Sequence, residues 1–367
     1  MSKLDVFPDS FSQVFNRFSM NLFFTKLYTT KTQKPSLKAV VFHTKINPDD
    51  LDKVLSRRSG LEGFFYNIEK LEETLYRISL SREIKGSYNK GILLLDATEI
   101  DSWVVYTNKG SYYVKHVVES FFDKLYPLVS RIYFNINQMR KFVDVIKEEY
   151  KGRSTFTSFA IHRSKKQWKL GDKSVKGGTL ILYEENADEE LSKHIKEYYI
   201  TINRLNFNIV DSNDILLLKS NIYRNGRCSL SYGDFNDFYY NVVLKIIEYG
   251  REWRTFYSKR ERSVFEKNIF LNPYSIIYSE TFSKQEIIKL AKNINKKYSC
   301  AIIHGGNPYF VANICDYDEG SSYGITAIGS VVTITPITRG TDVASWKLTE
   351  VIQQILGDGI VRDVRMI

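Results

Sequence analysis

Apolar and polar positions follow two periods along this chain, and the switches between them mark its elements. Residues 39–46 (AVVFHTKI) form a short apolar run rich in β-branched residues, which predicts a strand. Residues 91–100 and 102–108 predict a strand pair. In 113–126, Val114, Val117, Val118, Phe121, Phe122 and Leu125 recur at helical spacing, and Pro127, with no amide hydrogen to donate, ends that helix. A short strand is expected at 131–136, then an amphipathic helix over 138–150 with Met139, Phe142, Val143, Ile146 and Tyr150 on one face. Strand-like runs follow at 156–161 and 179–183. A helix is expected over 188–202, with acids in its first turn where the helix dipole favours them. Residues 215–223 predict a strand and 237–257 a long helix, with Gly250 as a break.

The C-terminal pattern is the clearest. Ser283-x-x-Glu286 is a capping box: the hydroxyl accepts from an amide one turn on, and the carboxylate returns to the cap amide. It opens a helix over 284–298. A strand at 299–305, a reversal at Gly305-Gly306-Asn307-Pro308, strands at 309–317, 323–329 and 331–338, and a helix over 342–356 ending at Gly357 complete an α–β–β–β–β–α unit. The fold class is therefore mixed α/β (α+β), with mixed or antiparallel sheets flanked by helices. Three regions with soft boundaries are expected: an N-terminal α/β lobe (1–130), a basic middle region with a strand hairpin and a long helix (131–270), and the C-terminal unit (271–367). No Gly/Ser- or Pro-rich linker divides them, and no repeat is present.

Composition narrows the class. With 43% hydrophobic and 14% aromatic residues in 367, the chain has ample material for a packed interior, which excludes a disordered or disulfide-stapled protein. Cys228, Cys300 and Cys315 show no CxxC spacing and read as reduced thiols of a cytoplasmic protein. The histidines are scattered, so neither a zinc module nor any other cofactor is expected. The N-terminus carries no signal-peptide pattern, and no apolar stretch is long enough to span a bilayer, so no membrane insertion is expected.

The formal net charge is +10, and it is segregated. Between residues 10 and 48 lie Arg17, Lys26, Lys31, Lys34, Lys38 and Lys45 with no acid; residues 131–181 are also strongly basic, whereas 183–214 and the stretch from 310 onward are acidic. Clustered basic charge focuses potential and suits a polyanion. The densest piece, between the strand-like runs 156–161 and 179–183, holds Arg163, Lys165, Lys166, Trp168, Lys169, Lys173 and Lys176. It reads as a long basic hairpin or loop in which the cations neutralise phosphates and Trp168 stacks on a base, or else as a solvated hairpin tip whose lysines discourage edge pairing. A second stretch carries Arg251, Arg254, Lys259, Arg260 and Arg262, interleaved with Glu252 and Glu261; a solvated helix face with i,i+4 pairs is its alternative reading.

Candidate chemistry is sparse. Asp96, Glu99 and Asp101 follow an apolar run and fit either a Mg²⁺ site for phosphodiester cleavage or a polar hairpin turn. Asp316, Asp318 and Glu319 lack the remaining ligand spacing of a calcium loop and read as a β-turn. His304 beside Gly305-Gly306 reads as a structural histidine, and neither a Walker loop nor a nucleophile elbow is present.

One resemblance adds to this reading. Asn307-Pro308-Tyr309, Asp316-Tyr317, Gly320-Ser321-Ser322-Tyr323 and Thr335-Pro336-Ile337-Thr338-Arg339-Gly340 before a closing helix look like the end of an APAZ domain. The run Tyr126-Pro127-Leu128-Val129-Ser130-Arg131-Ile132, the helix after it and the 155–183 strands are similar in layout to the middle of that family. The resemblance implies Argonaute N/linker-like lobes and a partner: a short prokaryotic Argonaute carrying the MID and PIWI domains. With it, the chain would hold a guide strand and its target in defence against invading DNA. It further implies a stand-alone, noncatalytic subunit, with any effector on a separate chain. A Mg²⁺-dependent nuclease and an interaction scaffold without nucleic-acid contacts are the alternatives.

Overall fold

A computed structural model describes residues 10–29, 36–150, 153–170, 173–183, 201–265, 268–305 and 309–364. The strands are β1 (Leu37–Thr44), β2 (Phe64–Glu72), β3 (Leu75–Ile84), β4 (Ser87–Asp96), β5 (Ser102–Thr107), β6 (Val129–Arg131), β7 (Ser154–Leu170), β8 (Lys173–Tyr183), β9 (Thr201–Val210), β10 (Leu216–Tyr223), β11 (Arg227–Gly233), β12 (Ser263–Phe265), β13 (Asn268–Phe270), β14 (Tyr274–Ile277), β15 (Ser299–Gly305), β16 (Tyr309–Asp316), β17 (Ser321–Ile328), β18 (Val331–Thr338) and β19 (Ile360–Asp363). The helices are α1 (Arg17–Tyr28), α2 (Leu51–Ser56), α3 (111–123), α4 (Ile136–Glu149), α5 (235–258), α6 (Lys284–Ile294) and α7 (Asp342–Leu356). The class is mixed α+β with antiparallel sheets, as the hydrophobic pattern predicts. The helix expected at 188–202 and the reversal at 306–308 fall outside the described residues, apart from the segment's last two residues, which begin β9. Among the described residues, no helix is long and apolar enough to cross a membrane.

The chain forms two units. The first comprises residues 1–132, 152–155 and 206–248; the second comprises 133–151, 156–205 and 249–367. Residues 131–270 contribute to both units. The reason is strand pairing: β11 returns to β1 in the first unit, with Lys38 opposite Ser229.

In the first unit the strand order is β2-β3-β4-β5-β1-β11-β10. β1 is central, because its apolar residues tolerate burial on both faces. β5 pairs along one side of it, while β11 and then β6 share the other. Val40, Phe42, Trp103, Val105, Leu93, Leu95 and Ile78 face α3, which presents Val114, Val117, Val118, Phe121 and Phe122. Each such side chain, fully buried, contributes about 1.5–3 kcal/mol. On the other face, Phe24 of α1 packs on Phe235 and Tyr106, with ring centroids 4.9 and 5.9 Å apart. The β2–β3–β4 meander carries its apolar set on alternate residues (Phe64, Tyr66, Ile68; Tyr76, Ile78, Leu80). Lys85 and Gly86, both at positive φ, form the mirror-image turn that matches strand twist.

In the second unit a six-stranded sheet runs β15-β16-β17-β18-β14-β19. Its interior centres on Tyr274, Tyr323 and Trp346. The Tyr274 hydroxyl donates to the Ser345 carbonyl (3.0 Å), and Trp346 Nε1 donates to the Tyr133 carbonyl (2.9 Å). The capping box of α6 forms as expected between Ser283 and Glu286. The start of α7 is set by a tight corner. Arg339 and Gly340 both have positive φ, Arg339 donates to the Glu319 carbonyl (3.0 Å), and the amides of Gly340 and Thr341 point at Ser321 Oγ (3.2 and 3.4 Å). The Gly320-Ser321 and Arg339-Gly340 segments of the resemblance therefore meet at one place. A Cβ on Gly340 would lie 2.4 Å from the Pro336 Cβ. Gly340→Ala is expected to cost more than ~2 kcal/mol of stability, from φ strain plus overpacking, read as a lower urea midpoint.

Candidate nucleic-acid interface

The basic segment between residues 161 and 179 is an extension of the flanking strands. β7 and β8 form one antiparallel hairpin whose ladder runs from Ser158 opposite Tyr183 to Leu170 opposite Lys173. At ~3.3 Å per residue this paired ribbon is ~40 Å long. Arg163 lies opposite Gly178, Lys176 opposite Gln167, Trp168 opposite Val175, and Lys169 opposite Ser174. The register shifts between Arg163 and Gln167, so Lys165 and Lys166 sit in the irregular stretch. Both strands of the ribbon thus carry cations: Arg163, Lys165, Lys166 and Lys169 on one, Lys173 and Lys176 on the other. The acid within the segment's sequence is Asp172.

The second basic stretch ends α5 and continues past it. α5 is unbroken at Gly250. Here the sequence count overstates the available charge. Arg254 Nε donates to Asp342 at 2.6 Å, and Arg260, itself buried, pairs with Asp363 at 3.1 Å and lies 4.5 Å from the Phe256 ring centroid. These two guanidiniums tie the end of α5 and its exit to α7 and β19 within the second unit; Arg260 is buried in its pair, while the Arg254 side chain stays 26% exposed. Arg251 and Arg262 are half-buried, the Arg262 amide donating to the Arg339 carbonyl (2.8 Å), and Lys259 is exposed.

The acidic candidates occupy structural positions. Asp96 is 2% exposed, and both its oxygens accept from Arg17 at 2.7 Å in a two-pronged pair. Oδ1 also accepts from the Thr98 amide (2.9 Å) and hydroxyl (2.6 Å). This hydrogen bond to Asp96 raises the Arg17 pKa above its ordinary value. Asp101 accepts from the Ser102 hydroxyl, and its carbonyl accepts from the Thr44 amide. Asp316 Oδ1 accepts from the amides of Asp318 and Glu319, which is the turn expected there. His304 stacks on Tyr309 with centroids 4.2 Å apart. Among the described residues, no group of three or more His, Cys, Asp or Glu side chains is placed to hold a metal.

One charged cluster escaped the sequence reading because its members are far apart in the chain. Glu119, on α3, is buried and accepts from Arg131 (2.9 Å) and Asn225 (3.1 Å), with Arg227 Nε at 3.4 Å. Burial pushes its carboxyl pKa up, and the two arginines oppose that. Arg131 also grips Asp123 through two bonds of 2.8 and 2.7 Å. Glu119 sits on the polar side of a helix whose apolar positions are explicit, so its sequence signal was that of an ordinary surface acid.

No family model matches the chain, and no curated protein matches it in sequence.

Proposed function

We propose that this chain is a noncatalytic nucleic-acid-binding subunit. It assembles with a short Argonaute bearing the MID and PIWI domains and helps to hold a guide–target duplex in defence against invading DNA. The observation that supports binding is the β7–β8 ribbon, a long two-stranded element with Arg and Lys on β7 and Lys on β8. Contacts of that kind are made to the phosphate backbone and fix position, while base pairing between guide and target reads sequence. The assembly part of the proposal rests on the APAZ resemblance, whose glycine and arginine motifs close one structural corner before α7.

The nuclease alternative leans on Asp96, and the Arg17 and Thr98 bonds to that carboxylate disfavour it as a metal ligand. Co-expression with a short Argonaute bearing MID and PIWI domains is expected to give one complex that co-elutes with guide and target. A chain that elutes alone under these conditions, with its partner folded, overturns the assembly.

A further inference from the structure

A small polar pocket of about 160 Å³ lies in the first unit where the sheet meets the start of α3. Its floor is a row across three antiparallel strands: Asn221 on β10 lies opposite Ser229 on β11, and Ser229 opposite Lys38 on β1. Lys38 shares its face with Val40 and Phe42, which pack under α3, and lines the pocket together with Ser111, the first residue of that helix.

The pocket carries positive charge without a matching anion. Lys38 has no carboxylate within ion-pair distance among the described residues. The next cation, Arg227, lies beside it; its nearest carboxylate, Glu119, is 3.4 Å away and is shared with Arg131, which is also bonded to Asp123. Burial, with Arg227 as a neighbour, lowers the Lys38 pKa below the ordinary lysine value, as an ammonium short of counter-charge requires. The α3 N-terminus adds to the same polarity. Its cap residue, Gly110, has no side chain to satisfy the first amides, and Ser111 lines the pocket. The side-chain oxygen of Asn221, an acceptor buried without a hydrogen-bond partner, can meet an oxyanion only through a protonated oxygen. The volume falls below the ~300 Å³ at which drug-sized ligands begin to fit, which points to a small group.

We infer that this pocket binds a phosphate-class oxyanion, either inorganic phosphate or a terminal phosphate group, held by Lys38 and Arg227 with Ser111 at the mouth of α3. Arg227 supplies a planar donor fork and Lys38 a point charge, the combination that phosphate recognition uses. The inference does not rest on duplex binding by the β7–β8 ribbon.

The test uses the full chain with inorganic phosphate as probe. Phosphate is expected to raise the melting temperature saturably, beyond the effect of potassium chloride at matched ionic strength. Lys38→Met keeps most of the stem and removes the charge. It is expected to fold with an unchanged or higher melting temperature in phosphate-free buffer and to weaken phosphate at least ~10-fold, the scale of one charge-assisted hydrogen bond. Two oligonucleotides differing only in a terminal phosphate separate the sources. Tighter binding of the phosphorylated strand, lost in Lys38→Met, assigns the pocket to a nucleic-acid end; equal binding of both beside saturable phosphate stabilisation assigns it to the free ion. A phosphate response that survives in Lys38→Met, or that chloride reproduces, overturns the site. Should that variant not fold, acylation of Lys38 in the wild-type chain, read by mass spectrometry, decides the question: phosphate protects Lys38 if the site exists, and absence of protection overturns it.

Discussion

Reversing Lys165, Lys166 and Lys169 to glutamate is expected to weaken duplex binding by orders of magnitude, by a similar factor for every sequence, and to flatten its salt dependence. Each phosphate neutralised on duplex DNA contributes ~0.9 to the slope of log K against log salt, so losing three contacts removes ~2.7 from that slope. The added negative charge lowers affinity further without adding sequence preference. The backbone supports the design. Lys165 and Lys166 lie where the β7–β8 register is already irregular, and Lys169 lies opposite Ser174 in the ladder, which is not an apolar cross-strand pair. An unchanged melting temperature and circular-dichroism spectrum are expected alongside the lost affinity. Arg254→Glu and Arg260→Glu serve as contrast. Both remove an ion pair to Asp342 or Asp363, so stability should fall first. Binding by fluorescence anisotropy over a salt series separates the two behaviours; an unchanged slope in the triple lysine variant removes the ribbon from the interface.

The contrast between the two basic stretches also shows what was legible in the sequence. Five helices announced themselves by an apolar face: α3, α4, α5, α6 and α7 lie within a few residues of the expected spans, whereas α1 and α2, with only three and two buried apolar residues, went unread. The C-terminal meander was equally plain, because β16, β17 and β18 alternate apolar and polar residues between glycine-containing turns. Two kinds of feature were hidden. β2 and β3 were missed because their outward positions (Asn67, Glu69, Arg77, Ser79) make the run look like a polar connection, although its alternate residues are core. β7 and β8 reach well past their apolar ends, since backbone pairing needs only amides and carbonyls, whichever side chains they carry. The short strand at β6 was overestimated for the opposite reason: Ile132 and Phe134 are buried, but by packing outside a ladder. Charge followed the same logic. A count of lysines and arginines cannot distinguish Arg254 and Arg260, consumed by carboxylates 88 and 103 residues away, from exposed Lys259. Nor can it reveal that Lys38, an ordinary member of a basic run, occupies a pocket short of anions.

Asp96→Asn carries the second large expectation, because it separates structure from catalysis at the one acidic cluster that invited an enzymatic reading. The substitution keeps the shape of the side chain but removes the charge that faces Arg17. That guanidinium is anchored by two parallel bonds to Asp96 and a third to the Thr74 hydroxyl (3.2 Å), while the Arg17 amide donates to Glu72 Oε2 (2.9 Å). Through these contacts the first turn of α1 is pinned to the β2–β3 connection and the end of β4. Stripped of its counter-charge, Arg17 stays partly desolvated and uncompensated. Removing one partner of a fully buried pair costs ~3–5 kcal/mol; with the Arg17 side chain 31% exposed, solvent recovers part of that, and ~2–3 kcal/mol is expected. Urea unfolding should show the loss as a lower midpoint with an unchanged slope. Lysine at position 17, which keeps the charge but loses the two-pronged geometry, should fall between wild type and Asp96→Asn. A catalytic aspartate behaves in the opposite way: its loss abolishes Mg²⁺-dependent cleavage of plasmid DNA and leaves stability intact or improved, because a carboxylate held ready for a metal is a strained element of the fold. An Asp96→Asn protein as stable as wild type and deficient in cleavage is therefore the result that would restore the nuclease reading. A destabilised protein whose wild-type parent cuts nothing assigns Asp96 to the anchoring of α1.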